Sequence, residues 1–277
     1  MHCDSLNEVQ ECRVYENDVW HSMIDYTLFL KHQKAYVAAA AESRGKCVLD
    51  FGCGSGYGAK IVSKECDSFL GVDASPVAIS FAKKHYSAPN VVFQQIEPDY
   101  TLPFEDESFD VVTSFQVIEH IPDVTKYLRL LKRVLRRGGV LFITTPNRAF
   151  RLLPFQRIWQ AAHEREYRAN ELDADLKRVF DSVELCGVYG TKEFDRIYID
   201  HYRQTPFKAY VRQPIRDLAQ AVLPKGLYTR WRDSLGLSYK PPSTALSSVQ
   251  TNRFSLNDVS IGPDLNKALD FFARCVK

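Results

Sequence analysis

Apolar residues in this chain gather into short runs separated by amphipathic stretches, and that alternation sets the first expectation. Tyr26 to Ala41 carries apolar residues at helical spacing and predicts a helix. Val48 and Leu49 lead an apolar run through Asp50 and Phe51 into a glycine series, the pattern of a buried parallel strand turning sharply. Tyr57 to Lys64 predicts a helix, and Ser68 to Val72 a second strand ending in Asp73. SPVAISFAKKHY predicts a helix with Ser75 as N-cap and Pro76 at its first position. Asn90 to Gln95 and Phe109 to Phe115 read as the third and fourth strands. Val124 to Leu135 reads as an amphipathic helix closed by Arg136, Arg137, Gly138 and Gly139, with cations in the last turn and glycine after it. Val140 to Thr144 is a fifth strand, stopped by Pro146.

Beyond Pro146 the pattern loosens. A helix around Glu171 to Val179 leads into a sixth strand at Ser182 to Val188. Residues 191–250 contain several prolines and no strong period, and they read as an insertion or lid. Asp270 to Val276 returns as the last strand. Strands alternating with helices predict a doubly wound parallel sheet. Right-handed crossovers then bring the C-terminal strand ends to one rim, where ligands bind. The glycine loop, Asp73, Gln95 to Asp99 and Gln116 to His120 all fall on that rim.

Composition narrows the function classes. With 277 residues, 45% hydrophobic and 25% charged, the chain can bury one sizeable α/β core with elaborations. A formal net charge of +2 makes no global case for nucleic acid as a partner. The charge is uneven, however: from His201 onward there are twelve Lys/Arg against five Asp/Glu. Seven scattered cysteines, at 3, 12, 47, 53, 66, 186 and 275, have no CxxC spacing and fit reduced thiols. No secretory leader is visible in MHCDSLNEVQEC, and no stretch approaches the length of a membrane span. The expected location is cytoplasmic.

The glycines at 52, 54, 56 and 58 permit the positive-φ turn and close ligand approach that a Cβ would block. The helix after them is expected to favour an anionic group at its start. Two readings of the loop remain open on the residues alone. Gly54, Gly56 and Ala59 satisfy GxGxxA, which suits a dinucleotide and an NAD-dependent oxidoreductase. Asp50 with Gly52, Gly54 and Gly56 gives the other phase, and in either case Asp73 is placed for a ribose hydroxyl pair. A non-catalytic scaffold that keeps the fold for partner binding is a third possibility, opposed by the intact Asp50, Gly54 and Asp73.

VLDFGCGSGYG closely resembles motif I of the class I S-adenosylmethionine-dependent methyltransferases. The resemblance continues in order through LGVDAS, LPFEDESFDVVTSFQVIEHIPD and LKRVLRRGGVLFITTPN, and it covers roughly residues 45–190. Within that family the chain is similar to the ubiquinone-biosynthesis-like (type 11) group. The fold class implied is α/β: a Rossmann-like doubly wound seven-stranded sheet with an N-terminal helical cap and a lid insertion before the last strand. One domain is expected over 1–277, with the cap at 1–45, the cofactor-binding core at 46–190, the lid at 191–250 and the last-strand region at 251–277.

The implied cofactor is S-adenosyl-L-methionine. By the resemblance, Gly52, Cys53, Gly54 and Gly56 wrap its methionine part, with Asp50 near the amino group. Asp73 accepts from the ribose hydroxyls and Ala74 lies by the adenine. The exit of the third strand, IEPDY, offers either Glu97 or Asp99 beside the adenine. Gln116 and Val117 line the cofactor near the reacting methyl. The related pattern Glu-x-x-Glu-His is associated with a metal, but its first Glu is here Gln116, so no metal site is expected.

An already activated methyl leaves the protein to align an acceptor, exclude water and take up a proton. Histidine is the natural base near neutral pH. His120 in IEHIPD and His163 in AAHEREY are the candidate catalytic residues, each with a structural role as the alternative. The expected reaction is O-methylation of a saccharide, glycan or other small molecule, on a general likeness to methyltransferases of bacterial glycan and surface-polysaccharide biosynthesis. A natural-product or quinone-like acceptor is the nearest rival. Residues 206–225 form a basic amphipathic segment that predicts a lid packed on its own domain, or contact with a membrane or lipid-linked substrate.

Overall fold

The computed structural model describes residues 22–97, 102–156, 158, 162–203, 206–234 and 253–277. Asp99, residues 1–21 of the expected cap, and 204–205 and 235–250 of the expected lid lie outside the described residues. The first helix, α1 (Met23–Ala41), starts at Ser22, whose hydroxyl oxygen accepts from the Asp25 N–H. β1 (Cys47–Phe51), α2 (Ala59–Val62), β2 (Ser68–Asp73), α3 (Pro76–His85), β3 (Val91–Gln95) and β4 (Phe109–Phe115) follow. After a 3₁₀ turn at Ile118–His120 come α4 (Val124–Val134), β5 (Leu135–Pro146), α5 (Arg148–Arg151), α6 (Ala169–Lys177) and β6 (Ser182–Gly190). The chain continues through α7 (Lys192–Tyr202), a π-helical turn (Lys208–Arg212), α8 (Gln213–Val222), α9 (Lys225–Ser234), β7 (Val259–Gly262) and β8 (Asp270–Val276).

These strands form one sheet in the order β3-β2-β1-β4-β5-β8-β6-β7. β1 to β5 pair in parallel, whereas β8 runs antiparallel between β5 and β6 and β7 runs antiparallel to β6. The described residues thus hold eight strands in a mixed sheet, one more than the seven expected and not wholly parallel. The added strand is β7, which is too short to show a period of its own. One face of the sheet is covered by α1, α2, α3 and α7, the other by α4 and α6.

Three further expectations change. Helix α2 is a single turn of four residues, so the expected helix from Tyr57 to Lys64 with an anion-favouring start is not formed. Successive turns bind the Ala59, Lys60 and Ile61 amides to carbonyls within the loop itself. β5 begins at Leu135 and includes Pro146, because Arg136 to Gly139 form an irregularity in its pairing with β4 instead of a helix cap. The described residues of 191–234 are largely helical. Their period went unread because the buried Phe194, Tyr198 and Tyr202 of α7 sit at intervals of four among charged residues. Pro214 lies in the first turn of α8, where its missing N–H costs nothing, and so does not break that helix.

The N-terminal helix is locked to the last strand by a buried ion pair. Lys31 Nζ lies 2.6 Å from Asp270 Oδ2, and both side chains are almost fully enclosed. The Tyr198 hydroxyl donates to Asp270 Oδ1 at 3.3 Å, and Lys31 Nζ sits 3.9 Å from the Tyr198 ring centre. Removing one partner strands the other charge in the core, so Lys31→Met is expected to destabilise by ~3–5 kcal/mol. Urea unfolding checks this, with the Lys31→Met/Asp270→Asn double variant recovering part of the loss.

Candidate active site

The glycine loop leaves β1 over a buried carboxylate. Asp50 accepts the Tyr36 hydroxyl at 2.9 Å on Oδ2 and the Thr113 hydroxyl at 2.7 Å on Oδ1. Burial drives its pKa up from 3.8 to about 7 against the opposing effect of those two hydrogen bonds. The Gly52 and Cys53 amides then donate to Val72 O, turning the chain across the end of β2. Gly52 has φ +76, and a Cβ there would stand 2.4 Å from Val117. Gly54 has φ +52 and no atom within 4 Å of where its Cβ would be. That open space faces a cavity of about 570 Å³.

One end of this cavity is lined by Gly52, Cys53, Gly54, Asp73, Ala74, Gln116 and Val117. Asp73 is held in place by Gly54 N to Oδ2 and Ser75 N to Oδ1, both 2.9 Å. Gln116 occupies the left-handed region at φ +57, a strained position for a residue with a side chain, and its amide donates to Thr144 O at 2.9 Å. Three of the expected residues stand elsewhere. Asp50 lies beneath the loop, facing Tyr36 and Thr113, and does not line the cavity. Gly56 is also outside the lining, its Cβ position closed by Ala82 and Phe93. Glu97 is exposed, because alternation at the end of β3 turns Ile96 inward to the cavity wall.

The opposite end joins His120 and His163. The Glu164 and Arg165 amides donate to Glu119 O at 2.9 and 3.2 Å, tying the segment after α5 to the 3₁₀ turn. The imidazole rings then meet edge to face, with centres 4.7 Å apart. His120 Nδ1 lies 2.7 Å from Ala162 O. A carbonyl only accepts, so Nδ1 carries a proton and Nε2 is the nitrogen left to meet a ligand. Behind His163 lies the buried Glu166, with Oε1 3.4 Å from His163 Nδ1 and 3.5 Å from Arg151 Nε. Burial lowers the His163 pKa; Glu166 opposes this, while the Arg151 and His120 charges add to it. The ring is therefore neutral at pH 7. Glu119 is also buried, accepts the Thr145 hydroxyl at 3.0 Å, and is pushed up to about 8 by its burial.

Several residues here were not foreseen from the sequence. His32, Tyr36, Arg151, Tyr198 and Tyr202 line the cavity, and Glu166 sits behind it. His32 Nδ1 is 2.7 Å from the Tyr57 hydroxyl. His163 also changes the metal expectation. The ligating atoms of Glu119, His120 and His163 lie within 4.8 Å of one another, so a third donor replaces the glutamate that Gln116 lacks.

The comparisons bear on the first end of the cavity. Residues 49–143 match the family described as Methyltransferase domain. This stretch is similar to a methyltransferase domain. The chain is 34% identical over 162 residues to a probable S-adenosylmethionine-dependent methyltransferase of Mycobacterium tuberculosis, covering 58% of each chain. It is 34% identical over 129 residues to the ubiquinone biosynthesis O-methyltransferase of Pasteurella multocida, covering 42% of this chain and 53% of that one. The chain thus spans between half and three fifths of the length of these curated relatives. The YcgJ protein of Bacillus subtilis superposes with a TM-score of 0.51 at 19% identity, over 89% of this chain and 98% of that chain, and shares the Rossmann-like α/β fold. The methyl donor for such a domain is S-adenosyl-L-methionine. The Gly54 opening and the Asp73 carboxylate fit it, offering room beside the backbone and an acceptor for ribose hydroxyls.

The raised pKa of Asp50 sets a pH dependence in the ligand-free protein. Folded Asp50 keeps its proton to about pH 7, while an ordinary value is 3.8. Between those values the folded state binds more protons than the unfolded one, so stability falls as pH rises and the loss is complete above the folded pKa. Denaturant unfolding at pH 5 and pH 8 is expected to show this slope in the wild type. Asp50→Asn should lose a contribution of a few kcal/mol from it.

Proposed function

We propose that the chain is an S-adenosylmethionine-dependent O-methyltransferase acting on a hydroxyl of a saccharide or another small molecule. The observation that carries the reading is the pair of facing histidines, with His163 neutral and backed by a buried carboxylate, at the cavity end opposite the methyltransferase loop. A neutral amine attacks through its own lone pair, whereas a hydroxyl must lose a proton as it reacts. Tyr198 and Tyr202 give that end aromatic walls suited to the apolar face of a sugar or a ring. Likeness to a ubiquinone biosynthesis O-methyltransferase supports a quinone-like acceptor as the nearest rival.

In this reading Gly52, Gly54, Asp73, Ala74, Gln116 and Val117 hold the donor. When bound, S-adenosylmethionine supplies a methyl group already activated on a sulfonium sulfur. His163 Nε2 takes the hydroxyl proton as the acceptor oxygen forms its bond to carbon, and Glu166 stabilises the resulting imidazolium through Nδ1–H. His120 orients the acceptor through its Nε2. Arg151 Nε lies on the far side of Glu166 Oε1 at 3.5 Å and fixes the position of that side chain.

The donor assignment is tested by thermal shift. At a hundredfold excess over Kd, S-adenosylhomocysteine is expected to add about 2.7 kcal/mol of stability while NAD adds none. Stabilisation by NAD alone would turn the reading to an oxidoreductase, and stabilisation by neither would turn it to a scaffold.

For the base, His163→Asn is expected to lower kcat by ~10²–10⁴-fold. The acid limb of the wild-type pH–kcat profile should lie below 6.5 and move lower still in Glu166→Gln, which removes the group that raises the His163 pKa. The three-donor spacing favours one second reading, a divalent cation held by Glu119, His120 and His163. Activity abolished by a chelator and restored by added metal would reassign the histidines from base to ligand.

A further inference from the structure

Between α7 and β7 the chain builds an outward face that the proposed reaction does not use. Ile215, Leu218 and Val222 of α8 recur at three- and four-residue spacing and are 54%, 66% and 69% exposed. Phe207, 67% exposed, and the exposed Val211 extend this apolar surface. A second element joins it. Tyr210 donates its hydroxyl to Pro154 O at 2.5 Å, and the buried Gln213 accepts from Gln156 Nε2 at 3.3 Å and donates to Ile158 O at 3.3 Å. These bonds fasten the loop after α5 to the start of α8. At its tip Phe155 is 98% exposed and held at φ +59, a left-handed conformation that is strained for a bulky residue. An apolar ring so exposed to water is unfavourable unless something receives it.

The surrounding charge indicates what that is. Residues 206–234 contain six Lys/Arg and two Asp/Glu, and Arg212 and Lys225 are exposed beside the apolar stripe. A second copy of the chain would set this basic face against itself under two-fold symmetry. An anionic bilayer meets both demands, with headgroups for the cations and an apolar interior for Phe155 and α8. We propose that the face formed by Phe155, Phe207 and α8 docks on an anionic lipid surface. The loop carrying Phe155 begins beside Arg151 and runs on to His163, both of which line the cavity. Docking therefore brings the acceptor end of the cavity to the lipid surface. The docking itself does not depend on the proposed chemistry.

Co-sedimentation of the full chain with phosphatidylcholine vesicles, with and without phosphatidylglycerol, tests this. The wild type is expected to bind the anionic vesicles at least ~10-fold more tightly than the neutral ones, and less tightly as salt is raised. Phe155→Ser/Leu218→Ser and Arg212→Glu/Lys225→Glu should each lose that binding, with Tm and S-adenosylhomocysteine affinity unchanged. Equal binding by wild type and variants overturns the proposal. So does a wild type that stays in the supernatant, including one that sediments as a dimer which Leu218→Ser dissociates, or one whose face is covered by the acidic residues 1–21. The unchanged S-adenosylhomocysteine affinity keeps a failure here distinct from a failure of the methyltransferase reading.

Discussion

The site depends on a single buried carboxylate. Asp50 sits at the end of β1 with no exposure to water, a costly position unless donors reach it. Tyr36 from α1 and Thr113 from β4 supply them. The two donors can meet Asp50 only if α1 crosses the strand ends at one height and β4 lies beside β1 in one register. The glycine loop starts two residues later, so its departure point is set by the same three side chains. Val117 then fills the space that Gly52 leaves empty, and Asp73 binds the Gly54 amide from behind. A loop held from three directions offers its open side to a ligand without first having to be ordered.

The far end of the cavity is assembled differently. Its two histidines lie more than forty residues apart and are brought together by main-chain bonds to a single carbonyl, Glu119 O. The charged groups around them are nearly all enclosed. Arg151, Glu166 and Glu119 sit in a medium where an unbalanced charge is expensive, and burial together with the Arg151 charge keeps the His163 imidazole neutral near pH 7. One end thus works through backbone geometry and the other through electrostatics.

What could be read from the sequence divides along the same line. Strands β1 to β4, the Ser75 cap, Asp73 and Gln116 were legible because local signals agree there: apolar runs, turn glycines and capping residues all act over a few positions. Glu166, Arg151 and His32 were not legible as site residues. Each looks like an ordinary helix or loop residue, and only contacts across the fold give it a role. The same holds for β7, whose four residues become a strand by pairing with β6. In α7 the signal was present at Phe194, Tyr198 and Tyr202, but surrounding charges and the prolines beyond concealed it. Asp50 and Gly56 show the opposite case, since both belong to the legible motif yet support the loop from outside the cavity.

The recognisable domain ends at residue 143, and much of the histidine end of the cavity is supplied from beyond it or from α1. Arg151, His163, and Tyr198 with Tyr202 arrive on three separate segments, none of which supplies a donor to Asp50 or the glycine loop. Substitutions there can accumulate one segment at a time while donor binding persists. In such an arrangement a lineage changes its acceptor by gradual drift, with the ancestral chemistry intact at every step.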